Sequence, residues 1–321
     1  MPSITALQFE QIHVDVARNS TDDFNPFHDP RRFDRIAGNP YPRPLVLGFQ
    51  LECLCDFLVE RQRDDETLEA GEQRLRYRSF QFTFADALWP GEACEIEVRP
   101  TLSRKDPPGL SNRVVVRKGG RAVLLGQVRD ATEPLVPTPV ELDALPDLRP
   151  VPDRSLLPGT GLFLKRKFLN TANAKNFLAG SLVDQAHYFD EIAERVRFPP
   201  LFPCALASCA LLEKAWSEHH DFMADPMVYV AHAITVDRPL ASSLRSNDVL
   251  HLLVRGPTTV AGSRSLGGTD LPLQRAQCFG LLRDQRVLYA AEIDLAPLRA
   301  ITGARLPPGD AVGRRRGDGN G

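Results

Sequence analysis

Asp23 and His28 are the two residues whose types and spacing best suit proton transfer. They lie in the run Ser20-Thr21-Asp22-Asp23-Phe24-Asn25-Pro26-Phe27-His28-Asp29-Pro30. Two prolines four residues apart restrict the geometry. Each pushes its predecessor, Asn25 or Asp29, out of the helical region. Residues 25–28 are therefore expected to form a tight turn, with Pro26 setting φ. Asp29 then caps a short predicted helix over residues 31–37, with Pro30 at its first position and Gly38 as its stop. His28 would be held just before a helix N-terminus, whose positive end favours a neutral imidazole. Asp23 lies on the other side of the same turn. A carboxylate and a neutral imidazole on one stiff turn can share a water molecule and deprotonate it. The plainer alternative is a turn aspartate that caps its own backbone beside a buried histidine.

The elements that must hold this turn are arranged twice along the chain. At a constant offset of 156, RRFDRIA (31–37) lies over HYFDEIA (187–193). The identical pairs over columns 33 to 53 are Phe33/Phe189, Asp34/Asp190, Ile36/Ile192, Ala37/Ala193, Pro44/Pro200, Leu45/Leu201 and Cys53/Cys209. Seven identities in 21 columns exceed the one or two that average composition would give by roughly threefold or more. Each half then reads as a short leading segment, one strongly apolar helix and several antiparallel strands. The apolar helices are GFQLECLCDFLVE (48–60) and CALASCALLEKAW (204–216). A helix apolar on most of its faces must be buried, and a sheet curled around it provides that burial. Phe80, Phe82 and Phe84 alternate with polar residues, as do Cys94, Ile96 and Val98, so both runs are predicted strands. Hairpins are expected at Gly119-Gly120 and at Asp284-Gln285. The expected fold class is α+β, with two antiparallel sheets each wrapped around a central helix.

The expected organisation is an N-terminal unit over 1–130, a linker over 131–160, a C-terminal unit over 161–306 and a disordered tail over 307–321. The linker holds seven prolines and no periodic pattern, so an extended, semi-rigid connection is predicted. The tail carries three consecutive arginines, Arg314 to Arg316, which read as a solvated terminus.

The chain of 321 residues carries 39 basic and 41 acidic side chains, for a net charge of −2. Nothing in that balance supports nucleic acid or an anionic membrane as a partner. No apolar run approaches the ~18 residues of a membrane helix. The six cysteines are scattered and contain no Cys-x-x-Cys, so reduced thiols and a cytoplasmic setting are expected.

The stretch around Asp23 resembles the MaoC-like hotdog family of (R)-specific enoyl-thioester hydratases. The family signature Asp-x-Asn-Pro-x-His is met by Asp23, Asn25, Pro26 and His28. A second family segment, Arg-Pro-apolar-apolar-His-Gly, opens the central helix and reads here Arg43-Pro44-Leu45-Val46-Leu47-Gly48. The resemblance covers residues 17–60 in detail and the remainder by element order. It implies a double hotdog that reversibly hydrates a trans-2-enoyl thioester to the (R)-3-hydroxyacyl thioester. Asp23 and His28 would activate the water, and the Gly48 N–H would polarise the thioester carbonyl. Asn25, Phe49 and Arg43 would contact substrate, with Asn25 shaping the turn. No metal or other cofactor is implied; coenzyme A or an acyl carrier protein arrives as part of the substrate. A monomeric pseudo-dimer or a homodimer fits this plan. Other readings of the same scaffold are an acyl-thioester hydrolase with Asp23 as base and a non-catalytic acyl-thioester binder.

The chain departs from the family at three places. Asp22 stands where glycine is usual, Leu47 where histidine is common, and Asp56 where some relatives carry serine. At the offset of 156, Asp23, Asn25, His28 and Gly48 face Ala179, Ser181, Asp184 and Cys204, so the second half is expected to hold no site. Lys165, Arg166 and Lys167 are candidates to meet coenzyme A phosphates, against an ordinary solvated strand. His187 with Asp184 reads as a surface pair. Residues 262–271 are glycine-rich but lack the lysine of a phosphate loop.

Overall fold

The computed structural model describes residues 3–66, 75–260, 264–266 and 269–305. The first half contains β1 (Ser3–Gln8), α1 (Gln11–Thr21), α2 (Gly48–Asp65), β2 (Tyr77–Phe84), β3 (Ala93–Val98), β4 (Leu102–Lys105), β5 (Pro108–Lys118) and β6 (Arg121–Ala131). The second contains β7 (Ser155–Leu156), β8 (Phe163–Phe168), α3 (Thr171–Gly180), β9 (Phe189–Asp190), β10 (Arg195–Val196), α4 (Leu201–Ser217), β11 (Met227–Asp237), α5 (Arg238–Ser243) and β12 (Val249–Thr259). It continues with β13 (Arg264–Leu266), β14 (Thr269–Leu271), β15 (Gln274–Leu282), β16 (Val287–Pro297) and α6 (Leu298–Arg305).

Twelve strands form one sheet, in the order β1-β3-β5-β6-β2-β11-β16-β15-β12-β8-β7, with β4 paired to β5. Read outward from the centre, β2-β6-β5-β3-β1 mirrors β11-β16-β15-β12-β8. The duplication in the sequence is therefore a duplication in topology. The seam is the antiparallel pair β2–β11, with Phe80 opposite Ile234 and Phe82 opposite His232. The halves share one continuous sheet. Backbone pairing at the seam satisfies two strands that would otherwise be edges.

The apolar helices α2 and α4 lie on one face of this sheet and bury side chains on most sides. Leu51, Leu54, Cys55 and Val59 of α2 join Phe202, Ala205, Leu206 and Ala210 of α4 in one core with Phe80, Phe82 and Ile234. Helices α1 and α3 run against each other beside them. A Cβ on Gly180 would come within 2.7 Å of the His13 carbonyl, so this crossing requires glycine. Gln50 of α2 locks the three helices together. Its Oε1 accepts the Leu47 N–H at 2.9 Å, while its Nε2 donates to the His13 and Gly180 carbonyls at 3.1 and 2.7 Å.

Two expectations are corrected. The segment after Pro30 forms only a 3-10 turn at Phe33–Arg35, with no α-helix over 31–37. Tertiary bonds decide this: Ala37 N–H donates to the Met223 carbonyl at 2.8 Å, and Phe33 and Ile36 turn inward to pack with Phe27 and Leu298. The proline-rich segment is no free connection either. Val136, Leu142, Leu148 and Leu157 pack on Leu253, Phe279 and Leu281, on the sheet face opposite α4, as a second hydrophobic core. The tail over 307–321 lies outside the described residues. So does part of the glycine-rich run; its residues 264–266 and 269–271 pair as a small two-stranded sheet.

Candidate active site

Helix α1 delivers the chain to the site. Its start is held by two bonds: the His13 N–H donates to the Glu10 carbonyl at 3.0 Å, and His13 Nδ1 accepts the Glu10 N–H at 2.9 Å. It ends at Asp22, which is left-handed at φ 54°. This is the position where the resembling family carries glycine, and the backbone explains why. Asp22 does not approach Asp23; its side chain is exposed and pairs with Lys167.

Asp23 follows immediately, with its N–H donating to the Arg18 carbonyl at 2.8 Å. Its Oδ1 accepts the Asn25 N–H at 2.9 Å. Asn25 in turn caps the 3-10 turn Pro26–His28 by accepting the Phe27 N–H at 3.1 Å. The predicted proline turn is present, and each polar residue in it holds the next. Arg18 clamps the exit, donating to the His28 carbonyl at 3.2 Å and pairing with Asp29 at 3.2 Å.

The segment before α2 docks on this turn through two bonds. Leu45 N–H donates to the Phe27 carbonyl, and His28 Nδ1 lies 2.8 Å from the Leu45 carbonyl. A carbonyl only accepts, so Nδ1 carries the proton and Nε2 is left with its lone pair. Burial pushes the His28 pKa below its usual value, Arg18 adds to this, and the nearby Asp23 carboxylate pulls the other way. Asp23 and His28 are 5% and 9% exposed, so both are withdrawn from bulk water.

His28, Asn25 and Gly48 line one cavity of 240 Å³, whose other walls include Leu45, Val46, Leu51, Phe84, Val123 and Tyr229. Gly48 is the first residue of α2, where backbone N–H groups have no intrahelical acceptor. Among the described residues, no acceptor is found for its N–H. A Cβ at Gly48 would come within 2.7 Å of the Phe84 ring. In the second half the helix begins a turn earlier, at Leu201, so Cys204, the counterpart of Gly48, lies inside the helix. There an N–H is directed to the preceding turn rather than to a cavity.

Asp23 does not itself line the cavity, although its charge reaches His28. Arg43 Nη1 donates to the Pro90 carbonyl at 3.2 Å, outside the cavity. Phe49 is buried against the His232 ring at 4.8 Å and also lies outside it. Lys165 is buried between Asp153 and Glu213 at 3.2 Å from each, and Arg166 donates to the Leu148 and Val151 carbonyls. His187 contacts Glu60 at 2.9 Å rather than Asp184, whose carboxylate accepts the Ala186 N–H. Asp56 is buried and pairs with Arg78 at 2.7 Å. Among the cavity residues that the sequence reading does not assign are Leu45, whose carbonyl meets His28, and Tyr229, which comes from the other half. Among the described residues, no group of three His, Cys, Asp or Glu side chains is placed to hold a metal ion. No described helix is long and apolar enough to cross a membrane.

Solved structures with this arrangement are numerous. A MaoC-like dehydratase aligns over 92% of this chain and 97% of its own, with a TM-score of 0.56 and 12% identity. The chain carries the double-hotdog fold of the MaoC-like dehydratases. A putative MaoC domain protein dehydratase from Chloroflexus aurantiacus J-10-fl aligns over 92% of this chain and 95% of its own, at TM-score 0.57 and 12% identity. A Mycobacterium tuberculosis protein described as having a double hotdog fold aligns over 92% and 96%, at TM-score 0.51 and 12% identity. No protein-family model and no curated protein sequence matches the chain. The double-hotdog fold thus recurs at identities near one residue in eight.

Proposed function

We propose that this MaoC-like chain adds water reversibly to a trans-2-enoyl thioester, giving a 3-hydroxyacyl thioester. The observation that carries this reading is that His28, whose Nε2 keeps its lone pair, and Gly48, whose N–H has no acceptor among the described residues, line one small, mainly apolar cavity. Water held by His28 attacks the β-carbon, and Nε2 takes its proton while the nearby Asp23 carboxylate favours the charge that forms on the ring. The electron pair of the double bond moves to the thioester oxygen, forming an enolate. The Gly48 N–H at the positive end of α2 stabilises that charge. The enolate collapses as His28 returns the proton to the α-carbon. Nothing is oxidised and no thiol is released.

Loss of the enoyl chromophore when purified protein meets crotonyl-CoA, with equimolar 3-hydroxybutyryl-CoA appearing, tests the proposal. Release of free thiol in place of hydration would assign the site to thioester hydrolysis instead.

A further inference from the structure

Tyr229 stands between two cavities. One is the 240 Å³ cavity of His28 and Gly48. The other, of 370 Å³, lies beside α4 and is walled by Leu211, Leu212, Ala215 and Phe222 together with the charged Lys214, Glu218 and Asp225. Asn25, Phe27, Met227 and Tyr229 line both. Asn25 and Phe27 are fixed by the catalytic turn. Tyr229 is fixed by the second half: its Oη donates to Ser208 Oγ at 3.2 Å, and Ser208 is buried in α4. Its ring meets His232 edge-on at 5.1 Å. A register shift in the β11–β16 pairing between Tyr229 and Ala231 sets the residue's direction. The partition is therefore held by a hydrogen bond and a ring contact, not left to a mobile side chain.

Size gives this partition a chemical consequence. The first cavity is smaller than the ~300–1,000 Å³ of pockets that take drug-sized ligands. It must admit the reacting carbons and the thioester, leaving little room for a tail. We propose that Tyr229, latched to Ser208, confines the acyl group to the smaller cavity and so restricts the site to short-chain thioesters. This rests on the hydratase reading and deepens it by naming the substrate class and the residue that sets it. The cavity beside α4, along its Leu211, Leu212 and Leu295 wall, is the space a longer tail would enter if the ring were absent.

The test uses the full chain and compares binding of butyryl-, octanoyl- and dodecanoyl-CoA with hydration of the matching trans-2-enoyl-CoA series. The wild-type protein is expected to bind butyryl-CoA at least about tenfold more tightly than octanoyl-CoA, within the range one pocket wall supplies. Tyr229→Ala should reverse that order, and Tyr229→Leu should do so if the alanine variant does not fold. Adding Ala215→Phe to Tyr229→Ala should refill the second cavity and restore the short-chain preference. Equal wild-type affinity for butyryl and octanoyl groups, or an unchanged order in both Tyr229 variants, overturns the proposal. Binding with the expected order but without hydration overturns the hydratase reading alone. Failure of the wild type to bind any of the three overturns both.

Discussion

His28 Nδ1 sits 2.8 Å from the carbonyl oxygen of Leu45, a residue on the strand-like segment that opens α2. This contact fixes the tautomer of the imidazole. It also joins the proline turn to the helix tip, so that His28 and the Gly48 N–H are registered against each other. A main-chain carbonyl cannot be changed by side-chain substitution, which gives the arrangement its rigidity.

Asp23→Asn isolates the carboxylate's charge. The amide oxygen of the substituted side chain can still accept the Asn25 N–H, so the turn should persist. Hydration is expected to fall roughly 10²–10⁴-fold, the usual range for a general acid–base group. The urea unfolding midpoint should move by less than the equivalent of ~1 kcal/mol. A large loss of stability with activity in proportion would show a structural role only.

The pH dependence follows from the depressed pKa of His28. The neutral, proton-accepting form should persist below the ordinary imidazole value of about 6.5. The acid limb of kcat/KM is therefore expected below that value. In the same window the folded chain holds fewer protons on this group than the unfolded chain. Its contribution to stability is full above the unfolded pKa and is lost as pH falls through the window. An acid limb at or above the ordinary imidazole value would contradict this assignment.

Gly48→Ala should act through Phe84. The new methyl would stand 2.7 Å from the ring, and the ring is backed by His232 at 5.1 Å. Phe84 must tilt into the cavity or α2 must retreat. Displacements near 1 Å cost about 10²-fold where geometry matters. Gly48→Ala is expected to lower kcat/KM by that order, and Phe84→Leu in the same chain to recover part of it. Kinetics of the single and double variants checks both.

Asp22→Gly should leave the protein equally stable or slightly more so. A non-glycine residue at φ 54° costs about 1–2 kcal/mol, though aspartate pays less than most. The ion pair with Lys167, exposed at its Asp22 end, returns about 0–1 kcal/mol. The backbone term wins, and chemical denaturation of the variant reads the difference. A loss above ~1 kcal/mol would show that the Lys167 contact matters more than its exposure implies.

Local chemistry made much of this site readable from the sequence. Pro26 and Pro30 force a turn, and Asn25 caps it. The apolar helix after Gly48 can only be buried. Strand alternation at Phe80–Phe84 and Cys94–Val98 gave β2 and β3 directly. What escaped depends on contacts between distant residues. Helix α1 buries only a narrow stripe, including Val14 and Ala17, and its chief neighbour is α3, far along the chain. The helix expected over 31–37 yields to a bond that the Ala37 N–H donates to the Met223 carbonyl. Tyr229 enters the cavity from a strand whose own pattern reads as ordinary core. The packing of residues 131–160 was not readable because seven prolines hide any period while leucines and valines still find an apolar face.

The seam between β2 and β11 has a bearing on how the protein behaves when scarce. Two separate chains sharing a cavity would part on dilution, and the cavity would vanish with them. Here a covalent tether keeps the partners at a fixed effective concentration. Specific activity should therefore not depend on how little of the protein is present. The tether also lets each half drift on its own: one carries Asp23 and His28, while the other supplies part of the cavity wall.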